Sequence, residues 1–302
     1  MTADQLLTHL FNAGVAVSII STVLALGMSY GVAELVAPLR RAWLVVLVIL
    51  VNSVLVPAAA WGIGTALPID GSAVTGMTLA AIGAASAAGL KATQLARRAD
   101  LPLAVSLVVV LQFANLVAVP LWAGQVVSGA SISASSILGN LLLLVLAPLA
   151  IGLVARARYA EHAASWQVEL AKVSNLALAL IAGIAVNWQA IVSWVLLASA
   201  LTAIVAVVLG GVVGRADPET RTTTGLVSGL RFGSLGLIII GTQLHGNPDY
   251  LGPAIVFSLV DLILVLLLSV EIGRLRPGGR ASARPRGALM RTAEAPAPGR
   301  GH

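Results

Sequence analysis

Three ionisable residues stand in stretches that are otherwise apolar: Lys91 in GLKAT, Arg231 in SGLRFG and Asp261 in FSLVDLILVLL. An ionisable side chain at the centre of a bilayer costs ~2.5–3.5 kcal/mol on insertion scales, so it turns to a cavity or a partner rather than to lipid. Two cations invite an anion. The carboxylate is either their counter-ion or a proton carrier. With all three ionised the charges sum to one net positive, a balance that an anionic substrate completes. Asn52, Thr93, Gln112, Asn115, Ser228, Ser234 and Ser258 are neutral candidates for the same cavity, or for hydrogen bonds between helices.

Other chemistries have little to work with. The chain has no cysteine, and its histidines (His9, His162, His245, His302) all fall outside the apolar runs. No thiolate metal site and no cofactor is expected. A membrane enzyme would want a nucleophile with a base; Ser228 has no histidine in its stretch, and Asp261 is the one deep acid.

The elements that must position these residues are long and greasy. Of 302 residues, 58% are hydrophobic and 10% charged, against roughly 25% charged in soluble domains. Apolar runs exceed the ~18 residues needed to span a bilayer as a helix, and they lack the short alternation of a β-barrel. Nine spans are expected, at about 12–31, 42–66, 73–98, 101–124, 133–155, 168–187, 189–214, 222–244 and 250–274. Arg40, Arg41, Arg97, Arg98, Arg156, Arg158, Arg215 and Arg221 fall in every second connection, and the alternate connections hold no Lys or Arg. The basic side is cytoplasmic by the positive-inside rule, so the N-terminus lies outside and the C-terminus inside. The net charge of +6 is thereby a matter of topology, not of nucleic-acid binding. The start, MTADQLLTHLFNAG, has no basic region typical of a cleaved signal.

The membrane domain is expected over 1–274, with a first repeat at about 12–124 and a second at about 133–274. Each repeat contains a Gly/Ala/Ser-rich span with one basic residue, followed by a long apolar span. Matched, interrupted segments of this kind mark the binding site of inverted-repeat transporters. Residues 275–302, rich in Pro, Gly, Ala and Arg, read as a disordered basic cytoplasmic tail.

Four stretches resemble the bile acid:sodium symporter family, over most of residues 15–270. Gly27-Met28 in STVLALGMSYG is similar to the Gly-Met pair that ends its first conserved helix. VNSVLVPAAAW (51–61) resembles its Gln-x-x-x-x-Pro helix, with Asn52 at the Gln and Pro57 at the Pro. AASAAGLKATQLARRADLPLAVS (84–106) resembles the first broken helix and the turn after it. RTTTGLVSGLRFGSLGL (221–237) resembles the second. Family members often have ten helices and some lack the first. The resemblance implies an all-α polytopic membrane protein of about nine helices, divided into panel and core domains, with two broken helices crossing in the core.

The departures from the family pattern are informative. The resemblance implies two sodium ions held by a Ser-Asn pair, a Glu and a Gln. Here Lys91 falls on or beside the pair, Val227 stands at the Glu, Arg231 at the Gln and Phe232 at the following Asn. Hydroxyls of the next helix give way to apolar residues around Ala104 and Val108. A hard cation needs oxygen ligands, and most are gone. The expectation is an alternating-access transporter of a small organic anion in a bacterial cytoplasmic membrane, with Lys91 and Arg231 as tethered substitutes for sodium. A proton-linked carrier using Asp261, a sodium symporter with a rearranged site at Asn52, Asn115 or Asp261, and a non-transporting receptor or scaffold are the alternatives.

Overall fold

Pro57 has no N–H to donate, and this shapes the helix that carries it. The helix α2 (Ala42–Ala66) contains a π-helical turn at Val51–Leu55, where the Val56 N–H reaches back to Val51 O. Pro57 follows at the second position of the renewed α-helix, so the next backbone bond cannot form. The carbonyls of Asn52 and Ser53 open to outside donors. Trp122 Nε1 donates to Ser53 O at 2.7 Å, and Arg231 Nη2 to Asn52 O at 2.8 Å. A second π-turn, Leu142–Leu146, likewise precedes a proline, Pro148.

The computed structural model describes residues 3–29, 41–86, 88–97, 99–127, 134–185, 194–214, 217–244 and 246–274. The expected basic tail and the connections 30–40, 128–133 and 186–193 lie outside these residues. Among the described residues all regular structure is helical. Besides α2 these are α1 (Ala3–Ser29), α3 (Gly71–Ile82), α4 (Ala88–Leu95), α5 (Leu101–Val126), α6 (Ala134–Leu141 through the π-turn into Ala147–Arg158), α7 (Ala160–Ala185), α8 (Trp194–Val213), α9 (Pro218–Gly229), α10 (Ser234–Gln243) and α11 (Pro248–Arg274). Among the described residues six stretches are long and apolar enough to cross a membrane: 42–66, 101–126, 135–158, 194–213, 218–243 and 248–274. Shorter apolar helices run over Ala13–Ser29 and Gly71–Ile82. The molecule is a multi-pass membrane protein, and large apolar side chains such as Val117, Leu143, Leu176 and Leu267 face outward, as lipid requires.

Two of the expected spans are broken. The 73–98 span is α3 and α4 separated by Gly83–Ser86, and the 222–244 span is α9 and α10 separated by Leu230–Gly233. The breaks pair like two short antiparallel strands. Phe232 N–H donates to Gly83 O at 2.8 Å, and Ser86 N–H to Leu230 O at 3.1 Å. A Cβ on Gly83 would sit 2.4 Å from Phe232 O, so only glycine permits this approach. Ala85 takes a positive φ of 52° to turn the chain, a conformation costly for a residue with a Cβ.

Helices α1, α7 and the Ala147–Arg158 half of α6 pack on one another. Gly27 and Gly152 meet where α1 crosses α6, each with a backbone carbonyl of the other helix where its Cβ would be. The remaining helices gather around the two breaks. Asp-Pro or Asp-x-Pro starts set the ends: Asp100 Oδ1 accepts from Leu103 N–H at 3.0 Å, and Asp217 Oδ2 from Thr220 N–H at 2.9 Å. Thr223 Oγ1 accepts the Asp100 N–H at 2.7 Å, tying α9 to the start of α5.

Candidate functional site

Helix ends at the breaks present carbonyls without helical partners, and each break is held by the long helix that follows it. On α5, Asn115 accepts from Ala84 N–H at 2.9 Å and donates to Ala84 O at 3.1 Å. Gln112 Nε2 donates to Ala85 O at 3.0 Å. On α11, Asp261 Oδ2 accepts the Arg231 N–H at 2.8 Å. Asn115 and Asp261 thus do the same work, one for each broken helix.

Arg231 is 5% exposed and its guanidinium is nearly fully engaged. Nε donates to Ala81 O at 2.8 Å, and Nη2 to Ile82 O at 3.2 Å and to Asn52 O at 2.8 Å. Nη1 donates to Asn52 Oδ1 at 2.8 Å. Ala81 and Ile82 are the last residues of α3, where the helix dipole concentrates negative potential. The cation therefore sits on a cluster of four oxygens, three of them backbone carbonyls. Asn52 is held in turn, its Nδ2 donating to Ser228 Oγ at 2.8 Å and to Val48 O at 2.9 Å.

The expected site residues therefore sort into groups. Asn52, Ser228, Arg231 and Asp261 form one connected network. Asn115 belongs to the other break. Thr93 is buried but spends its hydroxyl on Gly89 O of its own helix, at 2.6 Å. Val227, Ala104 and Val108, the apolar residues expected from the resemblance to stand where oxygen ligands would be, are fully buried. Lys91 is exposed, and among the described residues no hydrogen bond joins it to a helix end.

Lys91 instead lines a cavity of about 610 Å³, in the range of small-molecule sites. The walls come from α1, α4, α7, α10 and α11, between the α1–α7 pair and the helices around the breaks. Leu26, Leu230, Phe232, Leu237, Ile255 and Leu262 make much of the surface apolar. Lys91, Arg231 and Asp261 all reach its lining. Gln94, Gln167 and Ser174 also line it and escaped the sequence reading. Gln94 stands one turn after Lys91 on the same face, which spacing alone reveals. Gln167 and Ser174 are placed only by the packing of α7 on α1, where Ser174 hydrogen-bonds Ser18 and Thr22.

Compared with known proteins, residues 16–211 match the model of the sodium bile acid symporter family. No curated protein matches the chain. The matched segment contains Asn52, Lys91, Thr93 and Asn115, and it ends within α8, before the second broken helix.

Proposed function

The chain belongs to the sodium bile acid symporter family, and on that premise we propose that it carries a small organic anion by alternating access without binding sodium. The family assignment gives a transporter rather than an enzyme, moving small organic anions across a lipid bilayer. The narrower reading rests on one observation: the Arg231 guanidinium sits on Asn52 Oδ1 and on the carbonyls of Asn52, Ala81 and Ile82. Those oxygens are what a hard cation at the crossing would use. A fixed guanidinium takes the place of a dissociable ion, and a sodium ion about 4 Å away would be repelled by ~4 kcal/mol at an effective dielectric of 20.

The two cations then have separate tasks. Arg231, with four donors committed, holds the crossing together. Lys91, exposed on the cavity wall, receives the substrate's negative group. In the nine-span topology with a cytoplasmic C-terminus, the polar lining residues Ser29, Gln94 and Gln167 lie toward the helix ends that adjoin the basic connections, with Arg40 and Arg41 after α1, Arg97 after α4, and Arg156 and Arg158 before α7. This conformation is the one open to the cytoplasm of a bacterial inner membrane. Binding to the Lys91 side and rocking of α1, α6 and α7 against the broken-helix core would expose the same site outside.

Uptake by purified protein in proteoliposomes tests the reading, with sodium or choline as the external cation. Equal uptake of an organic acid in both supports it, together with sharp loss in Lys91→Gln. Uptake that requires sodium returns the protein to a symporter with a relocated ion site. Asp261 is then the first candidate ligand, because the oxygens of Asn52 and Asn115 are occupied. Uptake driven by a proton gradient and lost in Asp261→Asn would make it a proton-coupled carrier. Binding without any movement would leave a receptor.

A further inference from the structure

Arg231 and Lys91 differ in what accompanies their charge. Arg231 holds four oxygens from Asn52 and the end of α3, and these lie behind the cavity wall with it. Lys91 has no such set. Its side chain is exposed in the cavity, and the one ion pair among the described residues joins Lys172 to Glu169, at 2.7 Å on α7. The α1 and α7 walls contribute Thr22, Ala25, Ser29, Gln167, Ala171 and Ser174, which bring hydroxyls, an amide and methyl groups but no carboxylate. Asp261 is the one acid in the lining. Its Oδ2 accepts the Arg231 N–H and its Oδ1 is buried, and neither oxygen pairs with Lys91. In the open cavity, solvent alone screens the ammonium.

Closing the cavity removes that solvent. Lys91 stands in the middle of α4 (Ala88–Leu95), the half-helix that leads into the basic connection at Arg97. Movement of α1 and α7 onto α4 shuts the ammonium between helices. A charge dehydrated without a partner is heavily penalised, whereas a bound anionic group cancels the penalty. The insertion cost of a membrane cation, added to a barrier, slows its crossing by roughly a hundredfold. We infer that the protein is an exchanger: it passes between its inward-facing and outward-facing forms with an organic anion on Lys91 and not without one, so each anion moved one way is matched by one moved back. A dissociable sodium ion leaves with the substrate and lets an empty carrier return. A tethered cation stays and holds the empty carrier where it is. This rests on the transport reading and adds the rule that couples its two half-cycles.

The experiment is uptake by full-length protein in proteoliposomes in sodium-free choline buffer, with radiolabelled taurocholate and p-aminohippurate as probes. The vesicles hold either sucrose in a dilute zwitterionic buffer or the unlabelled form of the same anion at equal osmolality. Wild type should take up at least one probe about tenfold or more faster into the anion-loaded vesicles. Lys91→Arg keeps a cation in the cavity and should keep that ratio. Lys91→Gln should fold, because the side chain is exposed, and should bind the probes more weakly. Read as efflux from heavily loaded vesicles, its slower transport should be the same within about twofold with or without external anion, since the empty form no longer has a charge to dehydrate. Wild-type uptake into sucrose vesicles at more than about a tenth of the exchange rate overturns the inference and keeps the transport reading. A dependence on the opposite anion that survives in Lys91→Gln also overturns it, because the coupling then lies elsewhere. Movement of neither probe into either kind of vesicle overturns the transport reading and the inference with it.

Discussion

Arg231 grips Asn52 twice, through Nη1 on the side-chain oxygen and Nη2 on the main-chain oxygen, both at 2.8 Å. The second bond exists because Pro57 and the π-turn before it leave that carbonyl open. A helix defect in α2 and a cation in the α9–α10 break thus complete each other, 179 residues apart in sequence.

Arg231→Gln removes the charge and strands carbonyls on α2 and α3, at about 1–3 kcal/mol for each buried acceptor left unpaired. Its melting temperature should fall by several degrees, and sodium should restore part of the loss where choline does not, since a ligand that binds only the folded state stabilises it. The wild type should be indifferent to the two ions. Arg231→Lys keeps a cation but loses the planar fork, so it should be less stable than wild type and still indifferent to sodium. A wild type that sodium stabilises specifically would show that the built-in cation has not replaced the ion.

Gly83→Ala should damage the crossing. Its Cβ would meet the Phe232 carbonyl oxygen at 2.4 Å, and that oxygen is backbone within the paired breaks. A cost of roughly 1–3 kcal/mol is expected from overpacking. Gly62→Ala is the control, because nothing lies within 4 Å of the new methyl group. Thermal unfolding of the two variants should differ clearly; equal midpoints would mean that the breaks can separate without loss.

At the end of the molecule away from the basic connections, Gln243 Nε2 on α10 donates to Ser136 Oγ on α6 at 3.2 Å. This contact joins the broken-helix core to the start of α6, the helix whose Ala147–Arg158 half packs on α1 and α7. The chain has no cysteine, so Ser136→Cys with Gln243→Cys gives a clean pair for a short thiol cross-linker. Cross-linked protein should lose transport while each single variant, treated alike, keeps it. Full transport by cross-linked protein would mean that this end does not open.

Asp217, at the start of α9, has its carboxyl held below the ordinary value of 3.8, first by the Thr220 backbone N–H and then by the Thr220 hydroxyl, with Arg41 adding a smaller pull against the opposing effect of partial burial. A native pKa below the unfolded one means that the ionised cap contributes its stability above the unfolded value and loses it as pH falls through the native one. Wild type should therefore exceed Asp217→Asn in stability at neutral pH. The gap should close below about pH 4. A gap that persists unchanged into acid would show that the charge of Asp217 adds nothing to the cap.

The sequence alone determined that this chain lives in a membrane, because long uncharged apolar runs have no other low-energy solvent. It also marked Lys91, Arg231 and Asp261 as exceptions, since the cost of charge in lipid makes any such residue conspicuous. The likeness of VNSVLVP and of the two Gly/Ser-rich stretches to family motifs placed the breaks within a few residues. Tertiary structure alone decided what the charges do. Arg231 and Lys91 look alike in their stretches, yet one is buried on four oxygens and the other faces a cavity. Hydropathy records the cost of a charge but not its partner. The partners here are backbone carbonyls at a π-turn and a helix end, which every residue carries and no side-chain type announces. The same holds for Asn115 and Asp261, whose shared role at the two breaks depends on where α5 and α11 pack. Only the fold brings those helices to the crossing and buries one Asp261 carboxylate oxygen without a partner.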